Sequence, residues 1–555
     1  MSMSSAARSK SSHEPPDPQV HPLVRNALRL SLSAKEYKLL HDKVLKRSPS
    51  VQSHVPTPSR YETIVYSKDK YGEAAIRASL RVFFLTGTGL KLAELVVKRI
   101  RGDSASKSKT RTSLIRSPTF RLALSLSLVL FIHRILHRFF VRLRANLRTD
   151  DARPFRERNP RVSKALTSRY APAVGASVAG FALGICPESR LRITVAIYTA
   201  TRSLEFLYNV LDEKGWLEKK PWWFGGWLLM PVSCAQLFHA FVFDRETIPK
   251  WFGDAILKLS PSYIQRRPAG FPANLHWPDN YEIVDSLATI ADLRWPPFIS
   301  PILHPTKPNP LPKPVKSISP VTSPAHPSIS SLSCALLHPN TPSCSTAFLH
   351  HLLLSIPPLA RVLTVATLAL SALKYKKFLA SPLSTTNAAS KRVLALTAIL
   401  STSVGSAWGS LCLLNSFLSR STLPTKRFFI SGAIGGLPFA FLRQGRGIFL
   451  YLFRTAIYSA WRTGVKRGLW RGWKGGELWV FVLSWALMGS ILEGTPAAVE
   501  GAGLRKGLVW MRGDGFVDPV EVAARRKKKA QAAQAAQATQ AAQKKETQEG
   551  QEARS

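Results

Sequence analysis

Acidic residues are scarce in this chain. It has 33 Asp and Glu against 77 Lys and Arg, a formal charge of +44. Such an excess commonly matches nucleic-acid phosphate or anionic lipid headgroups. Cysteine is scarcer still, with five residues (186, 234, 334, 344 and 412) in a chain of 555. That excludes a disulfide framework, and no CxxC pair is present for a zinc ribbon. The first twenty residues lack an apolar run, so no secretory signal peptide is expected. Glu14, Pro15 and Pro16 cut short any amphipathic matrix presequence. There is no GxxxxGK phosphate loop, no GxSxG elbow and no HExxH.

What the chain has is apolar and aromatic substance. Its apolar fraction is 45%, with 14 Trp, 12 Tyr and 27 Phe, too many for a disordered chain. Apolar segments lie at 81–97, 120–141, 170–186, 191–208 and 223–243, then at 348–373, 393–418, 428–442, 447–461 and 478–492. About 20 apolar residues are needed to cross a bilayer as a helix. Segments 223–243, 348–373 and 393–418 meet that length. Segments 428–442 and 478–492 are short, and 81–97 carries Lys91 and Glu94. Basic residues crowd the segment ends, with nineteen Lys and Arg against four acids between 98 and 169. Placed beside apolar segments rather than in a soluble module, they point to lipid headgroups and not to nucleic acid.

The expected organisation is all-α, a multi-pass transmembrane helical bundle. A basic tail over 1–74 is expected to be mostly disordered. The first membrane half spans 75–255, a Pro-rich interhelical loop 256–343, and the second membrane half 344–515. A basic Ala/Gln-rich tail follows over 516–555. The central loop is inferred from thirteen prolines between 296 and 342, which exclude helix interior and central strand. The tail AQAAQAAQATQAAQ favours helix but has no apolar face. Small residues at fourfold spacing predict close helix packing: Ala176, Gly180 and Gly184; Gly405 and Gly409; Gly432 and Gly436.

The halves resemble each other. GASVAGFALGICPESRLRITVAIYTATRSLEFLY at 175–208 parallels GAIGGLPFAFLRQGRGIFLYLFRTAIYSAWR at 432–462. Each has a Gly/Ala-rich segment, a short basic link and a helix bearing aromatics and Arg. Each continues into a Trp- and Gly-bearing segment, WWFGGWLLM at 222–230 and KGGELWVFV at 474–482. With five crossing segments apiece, such repeats would be inverted relative to each other; with one lying flat, they would be parallel.

From 338 onward the order of features becomes specific. His338-Pro339 is followed by Ser343-Cys344, then by GAIGGLPFAFL at 432–442, RGIFLYLFRTAIYSAWRTGVKRG at 446–468 and GGELWVFVLSWALM at 475–488. With RSLEFLYN at 202–209 and DRETIP at 244–249, this order resembles the transmembrane protein 135 family. The resemblance implies a multi-pass protein of peroxisomes or mitochondria, distantly similar to the inner-membrane translocase family. It also implies a role in organelle membrane dynamics and lipid handling, and it brings no catalytic residue. Membrane lipids, anionic headgroups among them, and other organelle membrane proteins are the partners it implies. The cysteine-rich character of the animal members is mostly lost here, and the Pro-rich insert and both tails have no counterpart.

Four clusters carry candidate chemistry. Arg202 and Glu205, three residues apart in an apolar segment, form either a polar path or an ion pair that locks helices. Arg454 occupies a similar place in the second half. His133, Arg134, His137 and Arg138 repeat at fourfold spacing and are expected to snorkel to a headgroup boundary. Cys334, His338, Cys344, His350 and His351 are zinc-ligand types, but their spacing matches no common pattern, so neither metal nor cofactor is expected. His239 and Asp244 form an HxxxxD, and Glu493-Gly494-Thr495 an EGT, elements that membrane acyltransferases use with His as base. They fall in opposite halves, and no catalysis is expected.

Overall fold

The computed structural model describes residues 21–552 except 44, 48–54, 67–69, 102–116, 188–189, 306–310, 373–374 and 443–444. Among the described residues the chain is all-α, with only an isolated bridge between Pro297 and Ser331. Ten helices carry the architecture. The first five are α1 (Lys70–Arg101), α2 (Pro118–Asn146), α3 (Ala171–Ser177), α4 (Arg190–Glu213) and α5 (Leu229–Phe243). The second five are α6 (Cys344–Ala372), α7 (Pro382–Phe417), α8 (Arg427–Gly436), α9 (Arg446–Lys466) and α10 (Gly476–Gly494). Local chemistry sets several starts. Ser117 Oγ accepts from the Phe120 amide at 3.1 Å and Pro118 opens α2; Pro382 opens α7.

Among the described residues five helical stretches are long and apolar enough to cross a membrane: Pro118–Asn146, Gly226–Phe243, Cys344–Ala372, Pro382–Phe417 and Gly476–Gly494. The last reads as short in the sequence, yet its helix runs 19 residues. Two further apolar stretches are broken. Both α3 and α8 tighten into 3₁₀ turns, at Val178–Ile185 and Leu437–Phe441.

The chain divides into two compact units, Met1–Glu218 with Lys474–Ser555, and Lys219–Trp473. They are cut differently from the two sequence halves. The first unit takes α1–α4 and adds α10; the second takes α6–α9 and adds α5.

In the first unit α1 lies along α2, α2 packs on α3 and its 3₁₀ extension, and α10 packs on α3 and α4. Phe481 and Trp485 of α10 meet edge to face at 5.1 Å, beside buried Val129, Leu183 and Ala196. A Cβ at Gly180 would meet Val482 and Phe481 at 2.9 and 3.0 Å, and one at Gly184 would meet Leu478 at 3.2 Å. Ala176 is fully buried.

The amino-terminal region departs from the expectation of disorder. Residues 1–20, 48–54 and 67–69 lie outside the described set, but helices Pro22–Ser31, Ala34–Lys43 and Pro58–Ile64 form around stacked Tyr37 and Tyr61, 3.9 Å apart. Arg81 of α1 clamps Glu36 and holds its carboxyl down at about 2. Average composition hides this layer, because a few apolar residues (Leu28, Leu32, Tyr37, Tyr61, Ile64 and Val65) are gathered at one point. The carboxy-terminal helix Pro519–Glu552 has no buried face among its described side chains beyond its first turn.

In the second unit α6 packs on α7, α7 on α8, and α5 on α8 and α9. Here α8 rests on backbone. A Cβ at Gly432 would lie 2.5 Å from the Cys234 carbonyl oxygen, and one at Gly436 would lie 2.5 Å from Pro231 Cα. Gly405 faces His351 and Phe348 of α6 at 2.8 and 3.0 Å, while Gly409 has its nearest neighbour, Tyr263, at 3.5 Å.

The Pro-rich stretch is not a bare loop. It holds the helix Asn280–Asp292, closed by a capping box of Asp279 and Glu282, and the short helices Ser319–Thr322 and Leu332–Leu337. Val315, Ile318, Ala325, Ala335, Leu336 and Leu337 are completely buried in the same core as Phe241, Trp408 and Phe428. Proline forbids long helix, but the apolar residues between prolines are free to fold inward.

Gly436→Ala forces a methyl into backbone that cannot yield, so it should cost about 1–3 kcal/mol. Gly409→Ala, in ordinary contact distance, should be nearly neutral. Thermal unfolding of the two variants in detergent checks the contrast.

Candidate functional site: buried charge and a thiol cluster

Burial of charge is the chemical feature of the first unit. Glu205 of α4 is buried, its side chain 4% exposed, and Arg202 Nη1 donates to Glu205 Oε2 at 2.7 Å. The guanidinium also lies over the Tyr198 ring, at 5.9 Å. One turn of α4 therefore supplies both charges. A second pair joins α4 to α10, Arg192 with Glu477, and Arg192 also donates to the Cys186 carbonyl at 2.9 Å. Sequence spacing does not reveal it, since 285 residues separate the partners.

The His/Arg ladder of α2 does not snorkel. His133, Arg134 and His137 are buried. Arg134 donates to the carbonyls of Trp510 and Ala74 at 2.6 and 3.2 Å and lies over the Trp510 ring. His133 Nδ1 sits 3.1 Å from the Ala176 carbonyl, and its ring stacks on Trp485 at 5.1 Å. Arg138 covers Tyr71 at 4.5 Å. Backbone carbonyls and aromatic faces do what headgroup water was expected to do, because helix Ala502–Arg512 covers this side of α2. Arg512 answers Glu493 at 2.7 Å. His133, Trp485, Gly489 and Arg512 border a cavity on the scale of one water molecule.

In the second unit the HxxxxD residues part company. Both Asp244 oxygens are taken, by Lys466 at 3.1 Å and Arg467 at 2.7 Å, while Lys466 also pairs with Glu246. Lys466 holds the Glu246 carboxyl below its ordinary range. His239 packs its ring on Phe243 at 4.9 Å. Glu493 of the EGT is paired with Arg512 in the other unit. Arg454 lies in α9, part-buried. Arg427, fully buried, caps the end of α7, donating to Asn415 Oδ1 at 2.6 Å and to the carbonyls of Thr422 and Leu418.

The thiols come together. Ligand atoms of Cys334, His338, Cys344 and Cys412 all lie within 4.8 Å of one another. Cys334 ends up beside the others through the short helix Leu332–Leu337, His338 follows it, Cys344 opens α6, and Cys412 comes from α7. His338 Nδ1 is 3.1 Å from the Thr341 carbonyl and Nε2 is 3.5 Å from Cys344 Sγ. His350 is exposed, and His351 turns away to Ser262 at 2.8 Å. Cys412 is the member that sequence reading misses, 68 residues beyond Cys344 and in another apolar segment; no local spacing could signal it.

No family model, no curated protein and no solved structure matches the chain.

Glu477→Gln leaves Arg192 buried without its carboxylate and should destabilise the first unit by about 3–5 kcal/mol. The double replacement Arg192→Met with Glu477→Leu should recover most of that loss. A double-mutant cycle on thermal stability reads the coupling.

Proposed function

We propose that the chain is an integral protein of the peroxisomal or mitochondrial membrane that acts, without catalysis, in organelle membrane and lipid homeostasis. One observation carries the membrane part. Along α6, Leu349, Leu353, Val362, Val365, Leu368 and Leu370 are each 58–73% exposed. These positions point all round the helix; in water they would be a large unsatisfied apolar surface, while against lipid chains they need no protein cover. Exposed Trp222, Trp223, Trp470 and Trp473 suit the headgroup level, and the basic flanks suit anionic lipid. The organelle and lipid role rest on the residues resembling the transmembrane protein 135 family. The repeat is supported by AIYTATRS at 196–203 and AIYSAWRT at 456–463, which align buried Ala196 with buried Ala456 and set Arg462, rather than Arg454, opposite Arg202.

The test is organelle fractionation of cells making a tagged copy, followed by alkaline carbonate. The protein should stay in the pellet with peroxisomal or mitochondrial markers, and its deletion should alter the lipid composition of that organelle. Release by carbonate would defeat the membrane reading. Retention with other membranes alone would defeat the organelle reading.

A second reading, a transporter or channel, is favoured by Glu205, a buried carboxylate within an apolar helix of the same unit as buried His133 and His137. Arg202→Gln and Glu205→Gln should then each lower proton flux in proteoliposomes at least tenfold while targeting survives. Degradation of both variants with normal residual flux per folded molecule would make the pair a structural lock.

A further inference from the structure

We propose that Cys334, His338, Cys344 and Cys412 bind one zinc ion that fastens the Pro-rich segment to α6 and α7. Three thiols and an imidazole at one point are the donor set of a closed structural zinc site. Bond lengths of about 2.3 Å to sulfur and 2.0 Å to nitrogen place tetrahedral ligand atoms roughly 3.5–3.8 Å apart. The Cys344 Sγ to His338 Nε2 distance is 3.5 Å, and the whole set falls within 4.8 Å.

The histidine is already prepared. Its Nδ1–H donates to the Thr341 carbonyl, which leaves the Nε2 lone pair facing the thiols. That is the outer hydrogen bond by which metal-bound imidazoles are oriented and made more basic. Cys344 is the first residue of α6, where the helix dipole favours thiolate. Cys334 and Cys412 are buried and Cys344 is half-buried, and four protein ligands fill a tetrahedral ion's shell and leave no open position for substrate. Binding releases three thiol protons and keeps the imidazole neutral, giving a centre of net charge −1. A disulfide would use two of the sulfurs and leave the third sulfur and the oriented histidine without a role.

The ion joins two stretches that sequence holds apart: the short helix and turn that lead into the first residue of α6, over 332–344, and the last turns of α7. Proline-rich chain has few backbone hydrogen bonds to hold it, and a four-ligand centre replaces them with a fixed point.

The test uses the full chain purified in detergent without chelators. Elemental analysis should find about one zinc per chain, and zinc-edge X-ray absorption a first shell of three sulfurs and one nitrogen. Cys344→Ser keeps a good helix start and should lose the zinc while remaining monodisperse; Cys412→Ser should do the same. In the wild-type chain a strong chelator should expose three thiols that the metal had protected, and restore protease access to 332–343. A monodisperse wild-type protein without zinc after zinc-supplemented growth would overturn the proposal. So would a Cys334–Cys412 disulfide found by mass spectrometry, or a Cys412→Ser chain that keeps its full zinc content.

Discussion

A hydrogen atom in place of a side chain at 432 and 436 is the constraint on which the second unit rests. It lets α8 lie on the backbone of α5, against the Cys234 carbonyl and Pro231. In a lipid environment no hydrophobic force drives helices together, so the closeness of approach decides which helices associate. The rest of the unit is arranged around that contact. Phe238 of α5 meets Trp408 of α7 edge to face at 4.9 Å, Phe243 meets Phe428 at 5.4 Å, and Trp408 donates to Ser260 at 2.8 Å. Through these rings the apolar helices and the folded Pro-rich segment share one core. In the first unit α10 fills the corresponding role, on Gly180 and Gly184, with side chains rather than backbone as the opposing surface.

Charge within these units is answered locally. Arg192 has Glu477, Arg134 has two carbonyls and a tryptophan face, Asp244 has two cations, and Arg427 closes the end of a helix. An isolated buried charge costs several kcal/mol, and each of these contacts removes most of that penalty. Such pairing stabilises little beyond an apolar alternative, but it admits one partner only. It therefore helps select which of several similar apolar helices packs where. Glu205 differs from these in pairing with an arginine of its own helix, Arg202.

The Pro-rich segment changes how the protein is understood. A flexible connector would allow the helices on either side to move independently. Instead it contributes a large share of the buried core of its unit and presents Cys334 and His338 to sulfurs from two long helices. Between its prolines, Val315, Ile318, Ala325, Ala335, Leu336 and Leu337 are completely buried.

Much of this was written in local sequence. Apolar runs of about 20 residues specify long helices wherever they fall, because period and length are properties of the segment alone. Gly432 and Gly436 were legible as packing residues for the same reason, as was the exposed Ala/Gln helix, which has nothing to bury. The Arg202–Glu205 pair was legible because one helical turn brings the two residues together. What no local pattern determined is which segments become neighbours. The assignment of α5 to one unit and α10 to the other, the Arg192–Glu477 pair, the burial of the His133–Arg134 ladder under Ala502–Arg512, and the arrival of Cys412 beside Cys344 all depend on contacts between residues far apart in the chain. Composition averages also concealed the Tyr37–Tyr61 layer and the core of the Pro-rich segment. Sequence determined the elements, since their energetics are local; the tertiary structure decided the partners, since close packing and charge pairing are settled only when distant surfaces meet.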